Sequence, residues 1–241
     1  MVKVFAHRGS SGTHPENTMS AFKEAKKVGA EGIELDVHLT RDGRLAVIHD
    51  ATINRTTNGV GRVSEYTMEE LNKMDAGSWF SKNFQNERIP ELREVLLWAK
   101  KEEMLVNIEL KYSRYTISPV FEETVLSELE NLGMGPDIIL SSFNHYALQK
   151  IHQINPDIDC AILFQEKIFE PWKYAMTLGA TSLHPHFNSM DNQLIREAKN
   201  KNFPVRVYTV NESNDVKRIL KTGCSAIITD FPNSVIELRD S

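Results

Sequence analysis

The sequence predicts an α/β chain on a parallel sheet, and three observations carry that expectation. Strand-like and helix-like segments alternate almost to the end, the pattern of parallel strands joined by helical crossovers. No composition shift, proline-rich linker or low-complexity run divides the 241 residues, so one domain over 1–241 is expected. A barrel of eight strands and eight helices takes roughly 250 residues, so the chain is just long enough for one. An open doubly wound sheet fits the same alternation. No glycine-rich loop of dinucleotide or Walker type follows any strand, which weighs against the nucleotide-binding form of that sheet.

The elements follow from local pattern. Val2–Ala6 is a short apolar run and reads as a strand. A helix starts at Asn17-Thr18, with Met19, Ala21, Phe22 and Ala25 at helical spacing as far as Val28, and Gly29 stops it. Gly32–Leu39 alternates, with Ile33, Leu35, Val37 and Leu39 on one face and Glu34, Asp36 and His38 on the other. Leu45–Ile48 is the next strand, but the link Thr40-Arg41-Asp42-Gly43-Arg44 is too short for a parallel crossover. Asp42-Gly43 is a hairpin signal, so this strand runs antiparallel to Gly32–Leu39 and brings His49 opposite Glu34 or one residue away. The stretch from Asp50 to Arg88 fits no barrel element and holds a short helix candidate at Met68–Met74, so an insertion at about 51–88 is expected, as a lid, a binding rim or a packed addition. Beyond it, helices are expected at 91–101, 119–132, 146–154, 171–178, 193–201 and 214–222. Strands are expected at 105–110, 137–142, 160–164, 181–185, 205–210 and 226–229, and a closing turn at 235–238. With the helix between Thr40 and Leu45 absent, the core is expected to lack at least one crossover helix, the room going to the insertion.

Composition removes several function classes. Hydrophobic residues make up 41% and charged residues 25%, enough apolar surface for a buried core and too much for a disordered chain. The net charge of −5 disfavours partners that need a basic face, namely nucleic acid and anionic membrane surfaces. No apolar run reaches the roughly 18 residues of a spanning helix, and Met1 to His7 runs straight into a strand without a signal-like segment. A cytoplasmic location is expected. Cys160 and Cys224 sit in apolar strand candidates and read as buried thiols.

The chemistry concentrates at strand ends. Glu34 and Asp36, two apart on a strand, point to one side, and neighbouring carboxylates inside a fold call for a cation. Oxygen donors suit Mg²⁺ or Ca²⁺; a solvated strand face is the alternative. Glu109 and Lys111 repeat the spacing, and there Glu109 can complete a metal shell while Lys111 meets an anionic oxygen, or the two form an ordinary ion pair. His7-Arg8-Gly9 leaves the first strand at the end where α/β folds place ligands. Arg8 suits phosphate and His7 suits proton transfer. His49, carried in by the hairpin, is a second acid/base candidate. His184 in Leu183-His184-Pro185-His186 is a candidate substrate contact, and Phe143 and Tyr208 can wall a pocket. His14, His38, His145 and His152 read as solvated surface residues.

Taken in order, these motifs resemble those of the glycerophosphodiester phosphodiesterases over essentially the whole chain. His7-Arg8-Gly9, Pro15-Glu16-Asn17-Thr18, Glu34-Leu35-Asp36, His49-Asp50, Glu109-Leu110-Lys111, Tyr208-Thr209-Val210 and Ile227-Ile228-Thr229-Asp230-Phe231-Pro232 each resemble a family segment. Two positions depart from it, with Tyr208 for the usual Trp and Ala226 for the usual Gly.

The resemblance implies a TIM-type (β/α)8 barrel with a small insertion after the His49-Asp50 strand. It implies a divalent metal, Mg²⁺ or Ca²⁺, held by Glu34, Asp36 and Glu109, with Arg8 and Lys111 on the phosphate. It implies His7 as base and His49 as acid in cleaving a small-molecule glycerophosphodiester to sn-glycerol 3-phosphate and an alcohol. Attack by a glycerol hydroxyl through a cyclic phosphate is the expected route, with direct attack by water as the other. A lysophospholipase D or a cyclising phosphodiester lyase is the alternative on the same barrel, and Trp79, Phe80 and Phe84 are candidates for the apolar rim that an acyl chain needs. The expected partners exclude nucleic acid and stable membrane insertion, and the expected assembly is a monomer or homodimer.

Overall fold

The computed structural model describes residues 1–112 and 120–241. The first strand, β1 (Lys3–Ala6), leads through helix α1 (Met19–Lys27) to β2 (Gly32–Leu39). β3 (Leu45–Val47) turns back on β2, and the short helix α2 (Met68–Leu71) and then α3 (Leu92–Lys101) follow. The rest alternates: β4 (Leu105–Leu110), α4 (Phe121–Asn131), β5 (Ile138–Ser142), α5 (His145–Ile154), β6 (Asp159–Phe164) and α6 (Pro171–Leu178). It ends with β7 (Ser182–Pro185), α7 (Asn192–Asn200), β8 (Arg206–Val207), α8 (Ser213–Leu220), β9 (Ala226–Thr229) and α9 (Pro232–Asp240).

Eight strands run parallel in the order β7-β6-β5-β4-β2-β1-β9-β8. Bridges between Leu183 and Val205 and between His186 and Tyr208 join β7 to β8, so the ring closes as a (β/α)8 barrel. β3 lies off the ring, antiparallel to β2, with Val37 opposite Val47 and Leu39 opposite Leu45. That register places residue 49 opposite Leu35, one residue from Glu34, as the hairpin predicts.

Two expectations fail here. No crossover helix is missing, because α3 returns the chain from the β2–β3 hairpin to β4. The closing turn at 235–238 is part of a full helix: Pro232 at its first position has the preset φ and missing N–H that a helix start tolerates, and Val235 is the buried anchor. With α9 the ring has eight helices among the described residues. The expected start of α4 at Pro119 lies outside the described residues.

Outward-facing strand residues such as Ile33, Leu35, Val37, Val106 and Ile108 are fully buried against the helices, including Phe22, Leu96 and Val125. Truncating one, as in Leu35→Ala, costs about 2–5 kcal/mol through lost burial and the cavity left behind. Inside the ring, Phe5, Ile139, Ala161, Ala226 and Ile228 form a separate apolar plug. Gly32 is required beside it, since a Cβ there would lie 2.5 Å from the Phe5 ring. Insertion residues Ile53, Val63, Met68, Leu71 and Ala76 pack with the flanking Ala46, Ile48 and Ile89 in a separate small core. No helix among the described residues is long and apolar enough to cross a membrane.

Candidate active site

The plug stops below the carboxyl ends of the strands, and above it the inward positions turn ionisable. β1 delivers His7, which stays tied to β9 through its N–H on the Thr229 carbonyl at 2.8 Å. Arg8 then takes a left-handed backbone, φ 56°, followed by Gly9 at φ 78°. A side chain at Gly9 would meet the backbone of Ala21 at 2.7 Å, so only glycine lets the chain fold back here. The turn aims the Arg8 N–H at Glu34, whose Oε2 accepts it at 2.9 Å.

β2 and β4 are adjacent, with Asp36 opposite Glu109. Glu34, Asp36 and Glu109 bring one carboxylate oxygen each within 4.8 Å of one another. Glu34 and Asp36 are buried, and Glu109 is half-buried. Burial and the charge of Asp36 push Glu34 up to about 8. Burial and Asp36 also raise Glu109. Asp36 alone goes down: burial opposes it, but Lys111 and Arg8 outweigh burial and keep it ionised. Its Oδ2 accepts from Asn17 Nδ2 at 2.8 Å, whereas its buried Oδ1 has no hydrogen bond, Lys111 Nζ standing 3.5 Å away. Three hard oxygen donors, mutually repelling and partly unbonded, fit a divalent cation such as Mg²⁺ or Ca²⁺.

Cations surround this cluster. Lys111 Nζ donates to Glu109 Oε1 at 2.7 Å. Arg8 reaches Glu16 Oε1 at 2.9 Å and lies 3.4 Å from Asp36 Oδ2. Despite burial, the charges of Asp36 and its neighbours raise the pKa of both cations, so they stay protonated.

Each of two histidines leans on an aspartate. His7 Nδ1 is 2.6 Å from Asp230 Oδ1, and its Nε2 is 4.0 Å from Glu34 Oε2. Asp230 is itself fixed by Ser11 Oγ at 3.0 Å and Asn211 Nδ2 at 2.6 Å. His49 Nδ1 is 2.6 Å from Asp50 Oδ1. Regular pairing with β2 ends at Val47, which frees His49 from the alternation that would turn it outward with Leu35. Its carbonyl meets His38 Nε2 at 3.0 Å. His38 is therefore buried inside the site, not solvated; it shares the inward face of β2 with Glu34 and Asp36.

The structure brings together His7, Arg8, Glu34, Asp36, His49, Glu109 and Lys111. Phe143 and Tyr208 meet edge to face across the mouth at 6.2 Å, and burial together with the Glu109 charge raises the Tyr208 phenol. His184 is not brought to the cluster. It is fully buried, 3.3 Å from Arg206 Nη1, and burial with that cation drives its pKa well down. Sequence reasoning assigned no role to Asp230, Asn211, Asn17, Glu16 or Arg55. The position of Asp230, just past the carboxyl end of the last strand, is the signal that points to it.

A closed (β/α)8 barrel whose strand ends gather carboxylates, cations and two histidines defines a barrel enzyme. The model of the glycerophosphoryl diester phosphodiesterase family matches residues 7–234, and the chain belongs to that family. It is an enzyme, a glycerophosphodiester phosphodiesterase. It is 43% identical over 235 residues to the glycerophosphodiester phosphodiesterase of Caldanaerobacter subterraneus, covering 98% of this chain and 96% of that one. Identity is 41% over 243 residues to the one from Bacillus altitudinis, covering 100% and 99%. Among solved structures, an Oleispira antarctica phosphodiesterase in complex with the product sn-glycerol-3-phosphate superposes with a TM-score of 0.90 at 31% identity, covering 99% of this chain and 97% of that one.

Proposed function

We propose that this enzyme uses a divalent metal, Mg²⁺ or Ca²⁺, to hydrolyse glycerophosphodiesters such as glycerophosphocholine and glycerophosphoethanolamine to sn-glycerol 3-phosphate and an alcohol. The observation that carries the reading is the ring of groups at the mouth: three clustered carboxylates with two fixed cations and two aspartate-anchored histidines. The product bound in the Oleispira antarctica relative supports the same substrate class.

Glu34, Asp36 and Glu109 would hold the metal, which supplies a Lewis acid for the phosphoryl oxygens and lowers the pKa of a bound hydroxyl. Arg8 and Lys111 lie against the same carboxylates and are placed to take up charge that grows on the phosphate. Both histidines spend Nδ1 on an aspartate, so Nε2 is the exchanging nitrogen in each. His7, whose Nε2 faces Glu34, removes the proton of a glycerol hydroxyl as it attacks the neighbouring phosphorus. His49 gives its proton to the departing alcohol. Attack from within the substrate avoids the entropy cost of first capturing water. Water then opens the cyclic phosphate, with the two histidines exchanging roles. Phe143 and Tyr208 wall the pocket, and residues of about 51–88 form its rim within a single domain. A cytoplasmic enzyme, monomeric or homodimeric, that contacts no nucleic acid fits this reading.

Purified protein with Mg²⁺ or Ca²⁺ should release sn-glycerol 3-phosphate from glycerophosphocholine or glycerophosphoethanolamine, and EDTA should abolish turnover. No activity on any glycerophosphodiester with either metal overturns the proposal. Phosphorus NMR of the product separates hydrolysis from a lyase that stops at the cyclic phosphate.

A further inference from the structure

The insertion contributes one side chain that touches both halves of the charged site without facing the carboxylate cluster itself. Arg55 Nε donates to Asp50 Oδ2 at 2.8 Å, and its Nη2 to Asp50 Oδ1 at 3.0 Å. On its other edge, Nη1 donates to Glu16 Oε2 at 2.7 Å and Nη2 to Glu16 Oε1 at 2.8 Å. One guanidinium thus grips two carboxylates, each with both of its oxygens. Asp50 Oδ1 is also the partner of His49 Nδ1, and Glu16 Oε1 is also the partner of Arg8 Nη1.

We propose that Arg55 is a positioning residue for catalysis, setting the orientation of His49 through Asp50 and of Arg8 through Glu16. The inference rests on the phosphodiesterase reading above. Its physical basis is geometric. A carboxylate held at both oxygens cannot rotate, so Asp50 presents Oδ1 to His49 in a fixed direction, and the imidazole is fixed in turn. Without Arg55, Asp50 is left to rotate. Glu16 keeps its single bond to Arg8 and is free to swing, loosening the Arg8 side chain that faces Asp36 at 3.4 Å. Lysine cannot substitute, because a single ammonium has no flat edge with which to pair two carboxylates at once. The bonds to Asp50 and Glu16 reach back 5 and 39 residues from one side chain, so the insertion is fastened to the β1–α1 loop at the point where the two functions meet.

The test compares two substrates chosen for their different need for a proton at the leaving oxygen. Glycerophosphocholine releases an alkoxide and needs the acid; the p-nitrophenyl ester of glycerol phosphate releases a stable phenolate and does not. In Arg55→Ala, kcat on glycerophosphocholine should fall about tenfold, the scale of outer residues that orient a working group. On the nitrophenyl ester the first-turnover release of nitrophenolate should stay within about twofold, because the misplaced acid is not needed in that step. KM should rise several-fold on both, through the loosened Arg8. Arg55→Lys, which keeps the stem and the charge and so guards against a folding defect in the alanine variant, should show the same split. A loss in first-turnover nitrophenolate release equal to the kcat loss on glycerophosphocholine, or an alkyl kcat unchanged in Arg55→Lys, overturns the inference. A wild-type enzyme inactive on both esters would instead overturn the phosphodiesterase reading.

Discussion

His7 and His49 make the same bond and live in opposite fields. Each sets Nδ1 2.6 Å from an aspartate oxygen. For His7, burial works against the charged ring, yet the Asp230 bond and the Glu34 charge win and raise its pKa. For His49, burial prevails together with the positive charges of Arg8 and Lys111, and its pKa falls despite Asp36 and Asp50. An Asp–His pair therefore does not by itself say when the ring carries a proton. The surrounding charges weigh in as well, and for His7 they include Glu34, a carboxylate proposed to hold the metal. In the proposed enzyme a divalent cation held by Glu34 would oppose the His7 proton and favour the neutral ring that the base role needs.

The sharpest way to break this pairing is to remove its members. His7→Ala and Glu34→Ala should each cut turnover by roughly a hundredfold or more, whatever the leaving group. A His7→Ala enzyme near wild-type rate would end the base assignment. His49→Ala should lose about a hundredfold on glycerophosphocholine and recover most of it in the first-turnover release of nitrophenolate from the nitrophenyl ester; recovery by His7→Ala in its place would exchange the two roles. Asp230→Asn should cost on the order of tenfold to a hundredfold and Asp50→Asn roughly tenfold, since an amide keeps the shape but not the charge that orients the ring. The smallest effect is spectroscopic. In metal-free protein, imidazole NMR should find the His7 midpoint above 6.5 and the His49 midpoint below it. Saturating Mg²⁺ or Ca²⁺ should then lower His7 by on the order of one unit. A His7 midpoint indifferent to the cation would show that Glu34 does not set its field.

Much of this is legible in the sequence. Gly32–Leu39 and Leu105–Leu110 alternate cleanly, and both strands fall where that pattern predicts. Asp42-Gly43 signals the hairpin, and with it His49 within one residue of Glu34. What stayed hidden depends on distant partners. Asp230 lies 223 residues from His7 and shows its purpose only when the barrel closes β9 against β1. His38 looked solvated because histidine alternating with carboxylates resembles a wet strand face, but the inside of a barrel is a second buried face. α9 escaped because its apolar stripe is short, and Pro232, which starts it, reads equally well as the end of a loop.

The insertion begins and ends at one place. The Val47 N–H bonds to the Pro90 carbonyl at 2.9 Å, and Ala46 pairs with Glu91 across the same point. The barrel therefore meets this long excursion as it would meet a tight turn: two adjacent chain ends at a fixed spacing. Beyond His49, Asp50 and Arg55, which belong to the charged mouth, residues between them can be added, removed or exchanged without disturbing the strand register, as long as the clamp holds. Such a doorway leaves the length of the excursion free to change while the barrel keeps its closure.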